Sequence, residues 1–483
     1  MKIPRIILVV IVFSIFFSLL AADGIPKRIG HWRVEVGPAG NEFYELPIEK
    51  ADVQPPTEEV MNVVRCIAPP NAKIEKWQLE KEDLYSIRAE VGPADYDFVI
   101  TKDAKILELE YSNNSTGVSE EPGDLIIKGT KKPITSDKIP DKTLKIIKKI
   151  GAGEPRNAWI AKTVAGDRLV VLAGDLVFYA RLDGQIQAVG LVDSGALNEI
   201  DPKDLVKKSP EEIYAEAQKE LSKYQDKFNI QKNIKRLGNK PNSKDGSFRF
   251  VVMGDSRSNF DMWQSIIQHV NQLDPKPAFV INSGDIVRHG YTHEYLEYFI
   301  PPLLNTDIPY FIAIGNHDDG DSGKAIEYQA LFGKNSLNYF FDYGQYRFII
   351  VDNCTIVQPY KETLKWLEKT LASTPKNFKI IVVTHKPPYN ISKWAYHSWD
   401  KEYSQQFTDL MSQYHVSHVF LGHIHAYSTA TYNGVNYTVS GGGGAGLHNR
   451  YGPLGNVHHY VICDVLPDGT LKQQVVRFFK EDK

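Results

Sequence analysis

Cysteine is scarce in this 483-residue chain, with three in all, Cys66, Cys354 and Cys463. An odd and widely scattered set excludes a disulfide framework, and the three read as small buried apolar residues rather than ligands. An excess of either charge is also missing. Lys and Arg number 56 against 59 Asp and Glu, a net charge of −3 with no basic stripe, which argues against a broad nucleic-acid surface. Beyond one apolar run, Ile6 to Leu20, nothing is long and apolar enough to span a bilayer. What remains, 42% apolar and 24% charged, is an ordinary globular composition with length for two or three domains.

The apolar run follows Lys2 and Arg5 and precedes Ala21-Ala22-Asp23, the layout of a secretory signal peptide over residues 1–22. A secreted, periplasmic or cell-envelope location is expected. The alternative is a retained N-terminal anchor, the one case in which a membrane would be a partner. Sequons at Asn113, Asn114, Asn353, Asn390 and Asn436 carry no weight, because such triplets often arise by chance.

The chemistry lies in the second half. Three hydrophobic runs end in metal-binding residues: Val251 to Gly254-Asp255, Val280 to Gly284-Asp285, and Phe311 to Gly315-Asn316-His317-Asp318. Two later runs answer them, Val383-Thr384-His385 and Val419-Phe420-Leu421-Gly422-His423-Ile424-His425. A buried strand that stops at a Gly and then presents Asp, Asn or His delivers that side chain to the carboxyl edge of a sheet, where open α/β folds build sites. Imidazole, carboxylate and amide oxygen together suit Mn, Fe or Zn. Two such ions sharing one carboxylate, for which Asp285 is the natural bridge, would activate a water for attack on a phosphoryl group.

The ordered series GD, GD, GNHD, TH, GHIH resembles the calcineurin-like metallophosphoesterase superfamily over roughly Ser247 to the C-terminus. The resemblance implies an αββα sandwich within the α/β class and hydrolysis of a small phosphorylated substrate, monoester or diester. It further implies Asp255 and His425 on a first metal, Asp285 bridging, and Asn316, His385 and His423 on a second. His317 would protonate the leaving oxygen, with Asp318 orienting its imidazole. One motif departs from the pattern: the family's Asp-X-His is here Asp255-Ser256-Arg257, and Arg has no lone pair to give. The tyrosine that the purple acid phosphatase branch uses a few residues on is absent from Ser258-Asn259-Phe260. Arg257 either binds substrate phosphate or takes the first metal's place electrostatically, so one or two ions per chain are implied; a third reading points it to solvent. The rival function is a metal-poor binding or scaffold protein on the same fold.

Residues 24–192 read as a smaller α+β domain with weak internal repetition. Trp77 to Ile106 can be laid over Trp159 to Ile186, each copy alternating apolar and polar residues and each preceded by a helix, Glu58 to Val64 and Lys142 to Ile150. The unit is similar to small PepSY-like or cystatin-like domains of exported proteins. Residues 193–246 read as a helical linker: Ser209-Pro210-Glu211-Glu212 starts a polar helix running to about Phe228, and Leu237 to Gly246 is loop chemistry. Residues 247–483 then form the catalytic domain, so a fragment beginning near Asn242 is expected to fold and act alone. Helices are predicted over Phe260 to Leu273 and Thr292 to Leu304, and strands over Tyr432 to Ser440, His459 to Val465 and Gln473 to Phe479, the strands building a second sheet. The run Gly441 to Gly446 reads as a turn that brings the chain close to the metals rather than a phosphate cradle, since it lacks the Walker lysine pattern. His448, His458 and His459 read as packing or surface histidines. Arg288, His289 and the stretch Trp394 to Trp399 lie on loops at the pocket rim, open to substrate contact or to packing.

Overall fold

The computed structural model describes residues 25–38, 55–80, 84–92, 94–113, 118–120, 126–163, 165–191, 199–200, 208–320, 323–391, 394, 398–447 and 457–480. The sequence features over residues 1–24, and Ala395, Tyr396, His397 and His448, lie outside them. The chain divides into two compact units, residues 1–45 with 208–483 and residues 46–207.

Among its described residues the first unit carries a seven-stranded and a six-stranded sheet. In the first sheet, Phe248–Met253, Phe279–Asn282 and Tyr310–Ile312 run parallel. In the second, Tyr346–Ile350, Lys379–Val383, His418–Leu421 and Val435–Ser440 do the same. These strands are short and mostly apolar and buried, as parallel strands covered on both faces tend to be. One core joins the sheets. Phe250 and Phe279 of the first meet Phe348 of the second edge to face at 5.3 and 5.1 Å, and Phe311 stacks on Phe341 at 4.2 Å. Helices Tyr360–Ala372 and Lys401–Gln413 contribute Leu364, Leu367, Leu371, Phe407 and Met411 to a further core that includes Val382, Val419 and Val439 of the second sheet.

The late strands distribute differently from the prediction. Val435–Ser440 and Tyr427–Tyr432 join the second sheet, whereas His458–Val465 and Leu471–Lys480 pair antiparallel into the first. The single strand expected over Tyr432 to Ser440 is half of a hairpin. Its turn, Asn433-Gly434, has φ of 48° and 79°, the left-handed pair that a two-residue hairpin loop needs.

The domain boundary also lies elsewhere than the sequence suggested. Strand Trp32–Pro38 pairs with Leu471–Lys480, so residues assigned to the N-terminal domain close the edge of the site-bearing sheet. The expected linker is part of the same core. Helix Pro210–Glu220 has the predicted capping box, Ser209 with Glu212, and buries Ala217; Leu221, Phe228 and Ile230 follow it into the interior. The sequence read as polar because these apolar positions are spaced singly among charges, which is the pattern of a helix with one buried stripe.

In the second unit one order of elements occurs twice. Helix Glu58–Ile67 is followed by antiparallel strands Lys73–Glu80, Leu84–Val91, Ala94–Thr101 and Ile106–Asn113; helix Asp141–Lys149 is followed by Pro155–Thr163, Gly166–Ala173, Leu176–Ala180 and Ile186–Leu191. The fourth strands pair at Leu109 with Val189, so both copies share one sheet. The turns into these strands match. Thr101 N–H donates to the Lys105 carbonyl and Arg181 N–H to the Gln185 carbonyl, with Ala104 and Gly184 at φ of 62° and 85°. Both helices pack their apolar stripes, Val60, Val63, Val64 and Ile67 or Ile146 and Ile147, into one core.

Candidate metal centre

All five motifs converge because parallel strands from both sheets end at one edge. Met253 leads to Asp255, Asn282 to Asp285, Ile312 to Asn316, Val383 to His385, and Leu421 to His423 and His425. The turns are tight. Asp255, Asp285 and His423 have φ of 55°, 54° and 69°, conformations an L-residue holds only when its surroundings over-determine it. Here the loops fasten one another: Asp255 N–H donates to the Gly284 carbonyl at 2.9 Å, Arg257 N–H to the Asp285 carbonyl at 3.2 Å, and His423 N–H to the Asp255 carboxylate at 3.0 Å. A Cβ on Gly315 would collide with the Asp285 carboxylate, and one on Gly422 would sit 2.7 Å from Asp255 Oδ2.

Two donor sets result. Asp285, His385 and His423 bring their ligand atoms within 4.8 Å of one another, as do Asp255, Asp285 and His425. Asp285 belongs to both. His385 Nε2 stands 3.3 Å from Asp285 Oδ1, and His425 Nε2 3.6 Å from Asp255 Oδ1. Each imidazole is oriented through its other nitrogen, His385 Nδ1 on the Ser283 carbonyl at 2.8 Å and His425 Nδ1 on the Gly446 carbonyl at 2.7 Å. A carbonyl only accepts, so Nδ1 carries a proton, and when the ring is neutral Nε2 is the nitrogen left with a lone pair for a cation. Among the described residues His385 Nε2 and Asn316 Oδ1 are buried with no hydrogen-bond partner, which fits donors built for an ion.

Electrostatics point the same way. Burial and the neighbouring Asp285 push the Asp255 carboxyl well above its usual range, and the same two causes raise Asp318. For Asp285, burial also acts to raise the value, but His385, His317 and Arg257 outweigh it and hold the carboxyl well below its usual range. Burial, with His385 and Lys386 nearby, keeps His423 neutral. Negative charge thus concentrates on the carboxylate shared by both donor sets.

Arg257 points inward. Its side chain is 4% exposed and its Nε lies 3.6 Å from Asp285 Oδ2, which removes the solvent-facing reading. His317 Nε2 lies 3.9 Å from the same oxygen, while Nδ1 bonds to the Arg288 carbonyl at 2.7 Å. Asp318 therefore does not orient His317. Its carboxylate accepts four backbone N–H groups, from Asp285 and Gly315 at 2.9 and 2.8 Å and from Ile286 and Val287 at 2.9 and 3.2 Å, and so buttresses the loop that carries the bridging carboxylate. The family resemblance implied the pairing; in the structure the two side chains take different partners.

The glycine run is a packing turn. Gly443 and Ala445 N–H groups are spent on the Gly254 and Asp255 carbonyls at 2.9 and 2.8 Å, and Gly446 supplies the acceptor for His425. Trp394 and Trp399 are core residues rather than rim contacts: both are buried, and Trp394 Nε1 donates to Ser428 Oγ at 3.1 Å. His458 and His459 face the Gly442 and Val457 carbonyls and belong to neither donor set. Sequence reasoning missed the carbonyls of Ser283, Arg288 and Gly446, since a backbone acceptor leaves no residue-type signal.

Parts of this chain are similar to known proteins. Residues 248–427 match the family of calcineurin-like phosphoesterases. The chain is 31% identical over 175 residues, 35% of its length, to the probable glycerophosphodiester phosphodiesterase of Arcobacter nitrofigilis, spanning 63% of that relative. It is 23% identical over 272 residues, 49% of its length, to a bovine serine/threonine-protein phosphatase, spanning 86% of it. Among solved structures, a purple acid phosphatase from yellow lupin superposes with a TM-score of 0.39 at 14% identity, covering 81% of each chain. The match to calcineurin-like phosphoesterases thus spans the strands and turns that carry the Asp255, Asp285, Asn316, His385, His423 and His425 donors.

Proposed function

We propose that this chain is an exported metal-dependent phosphohydrolase acting on small phosphomonoesters or phosphodiesters. The observation that carries the reading is the sharing of buried, charge-bearing Asp285 by two donor sets. Asp255, Asp285 and His425 would hold one ion and Asp285, Asn316, His385 and His423 the other, with Mn, Fe or Zn suited to the donors. When bound, such ions polarise phosphoryl oxygens and lower the pKa of water toward neutrality. His317, its Nδ1 proton committed to Arg288, presents Nε2 to the site and is placed to hand a proton to the leaving oxygen. Arg257 offers N–H groups to a phosphate oxygen from a buried position. Export is supported by Lys2, Arg5 and the apolar run that follows, and the balanced charge favours a small substrate over nucleic acid.

One observation favours a second reading, a metal-poor binding protein: the Arg257 guanidinium partly neutralises Asp285. Elemental analysis of purified protein with a panel of aryl phosphate mono- and diesters separates the two. Asp285→Ala is expected to lose both bound metal and nearly all turnover; metal content and turnover unaffected by this change would sink the bridging assignment.

A further inference from the structure

The segment from Thr292 through the π-helical turn Tyr295–Phe299 to Leu303 reaches both loops of the site. Tyr298 Oη donates to the Ser256 carbonyl and accepts the Asn259 N–H at 3.0 Å; Tyr295 Oη donates to the Asp318 carbonyl at 3.1 Å. Glu294 grips a different stretch. Its carboxylate accepts the His289 N–H at 2.8 Å and the Tyr291 N–H at 3.2 Å, and lies 2.9 Å from His289 Nδ1. Burial would raise this carboxyl, but the His289 ring and the backbone donors outweigh it, so the group stays ionised.

The pinned turn bears directly on His317. Within it Gly290 has φ of 76°, and a Cβ there would stand 2.8 Å from Gly320 Cα and 3.0 Å from the Asp318 carbonyl carbon. The turn thus lies backbone to backbone on the loop that follows His317, and the Arg288 carbonyl receives the His317 Nδ1 proton. We propose that Glu294 is a positioning residue for proton donation, acting through the Arg288 carbonyl on His317; this rests on the reading of His317 as the acid. As water forms the new P–O bond and the old one breaks, the leaving oxygen takes the Nε2 proton. The imidazole is left neutral with its proton on Nδ1, the tautomer the fixed carbonyl requires.

The test compares 4-nitrophenyl phosphate, whose leaving group needs little help, with phenyl phosphate, whose leaving group needs more, on metal-replete full-length protein. Glu294→Ala is expected to lower kcat on phenyl phosphate by about 10–100-fold, part of the roughly 10²–10⁴ a placed acid supplies, with only a few-fold loss on the nitrophenyl ester. KM and bound metal should hold. Glu294→Gln, which keeps the acceptor for the backbone N–H groups, should recover most of the loss, and it decides the matter if the Ala variant fails to fold. In a His317→Gln background, Glu294→Ala should add no further leaving-group dependence. Equal losses on both esters, additive losses in the double variant, or loss of metal would overturn the assignment. Should His317→Gln itself treat both esters alike, the acid reading falls and takes this one with it; if it discriminates and neither Glu294 variant does, Glu294 alone is misassigned.

Discussion

At Arg257 a permanently charged guanidinium stands against Asp285, where the family pattern has a neutral donor. Replacing it separates its two readings. Arg257→His supplies a lone pair beside Asp255, Asp285 and His425 and is expected to raise bound metal toward two per chain. Arg257→Ala is expected to weaken substrate binding with no gain of metal, by roughly 1.5–3 kcal/mol for one charge-assisted contact. Metal counts by mass spectrometry with KM values check both, and variants indistinguishable from the parent would place Arg257 outside the chemistry. His418 makes a different kind of prediction. Burial holds its pKa down at about 3, and its Nε2 lies 2.8 Å from Thr438 Oγ1. Between about pH 6.5 and 3 the unfolded chain binds this proton and the folded chain does not, so stability falls with falling pH there, by up to about 1.4 kcal/mol per unit. Urea midpoints from pH 7 to 4 should drop less steeply in His418→Asn.

Loops at strand ends owe their shape to groups that never meet substrate. Asp318 satisfies four buried N–H groups around Asp285, and each donor left unpaired costs about 1–3 kcal/mol. Asp318→Ala is therefore expected to lower thermal stability by several degrees and to release metal, measured by calorimetry and elemental analysis. A role confined to orienting His317 would instead leave metal and stability untouched and slow only esters with poor leaving groups. The sequence showed this element's polar residues in order, but His317 and Asp318 are neighbours in the chain that face different partners. Which one a carboxylate serves depends on the turn geometry at Gly315 and Asp285, whose backbones approach too closely for a Cβ.

For the whole molecule, the first unit is assembled from two separated stretches of chain. A fragment starting at Asn242 would lack Trp32, Val34, Leu221, Phe228 and Ile230, all buried in the core beneath the site. Each large apolar side chain contributes about 1.5–3 kcal/mol, so the loss approaches or exceeds a typical total stability of about 5–15 kcal/mol. Such a fragment is expected to be insoluble, contrary to what the position of the linker-like sequence suggests. Joining residues 25–45 to 208–483 through a long Gly/Ser linker should keep metal binding and turnover. Soluble, metal-loaded protein from the Asn242 fragment would show that the outer strand and helices are dispensable.

Local pattern carried the site's membership: apolar runs ending in Gly-Asp, Gly-Asn-His-Asp and Gly-His-Ile-His specify buried strands with ligands at their ends, because strand burial and tight turns are short-range properties. The repeat read over residues 24–192 rests on the same short-range patterns, each helix and its strands being neighbours in the chain. Three things came only with the tertiary structure. The strand Trp32–Pro38 reaches its partner more than four hundred residues away, Arg257 acquires Asp285 as a neighbour, and the carbonyls of Ser283, Arg288 and Gly446 choose the tautomers of His385, His317 and His425. Long-range pairing is fixed by the sum of core contacts, and a backbone carbonyl is common to every residue, so neither leaves a mark on the local sequence.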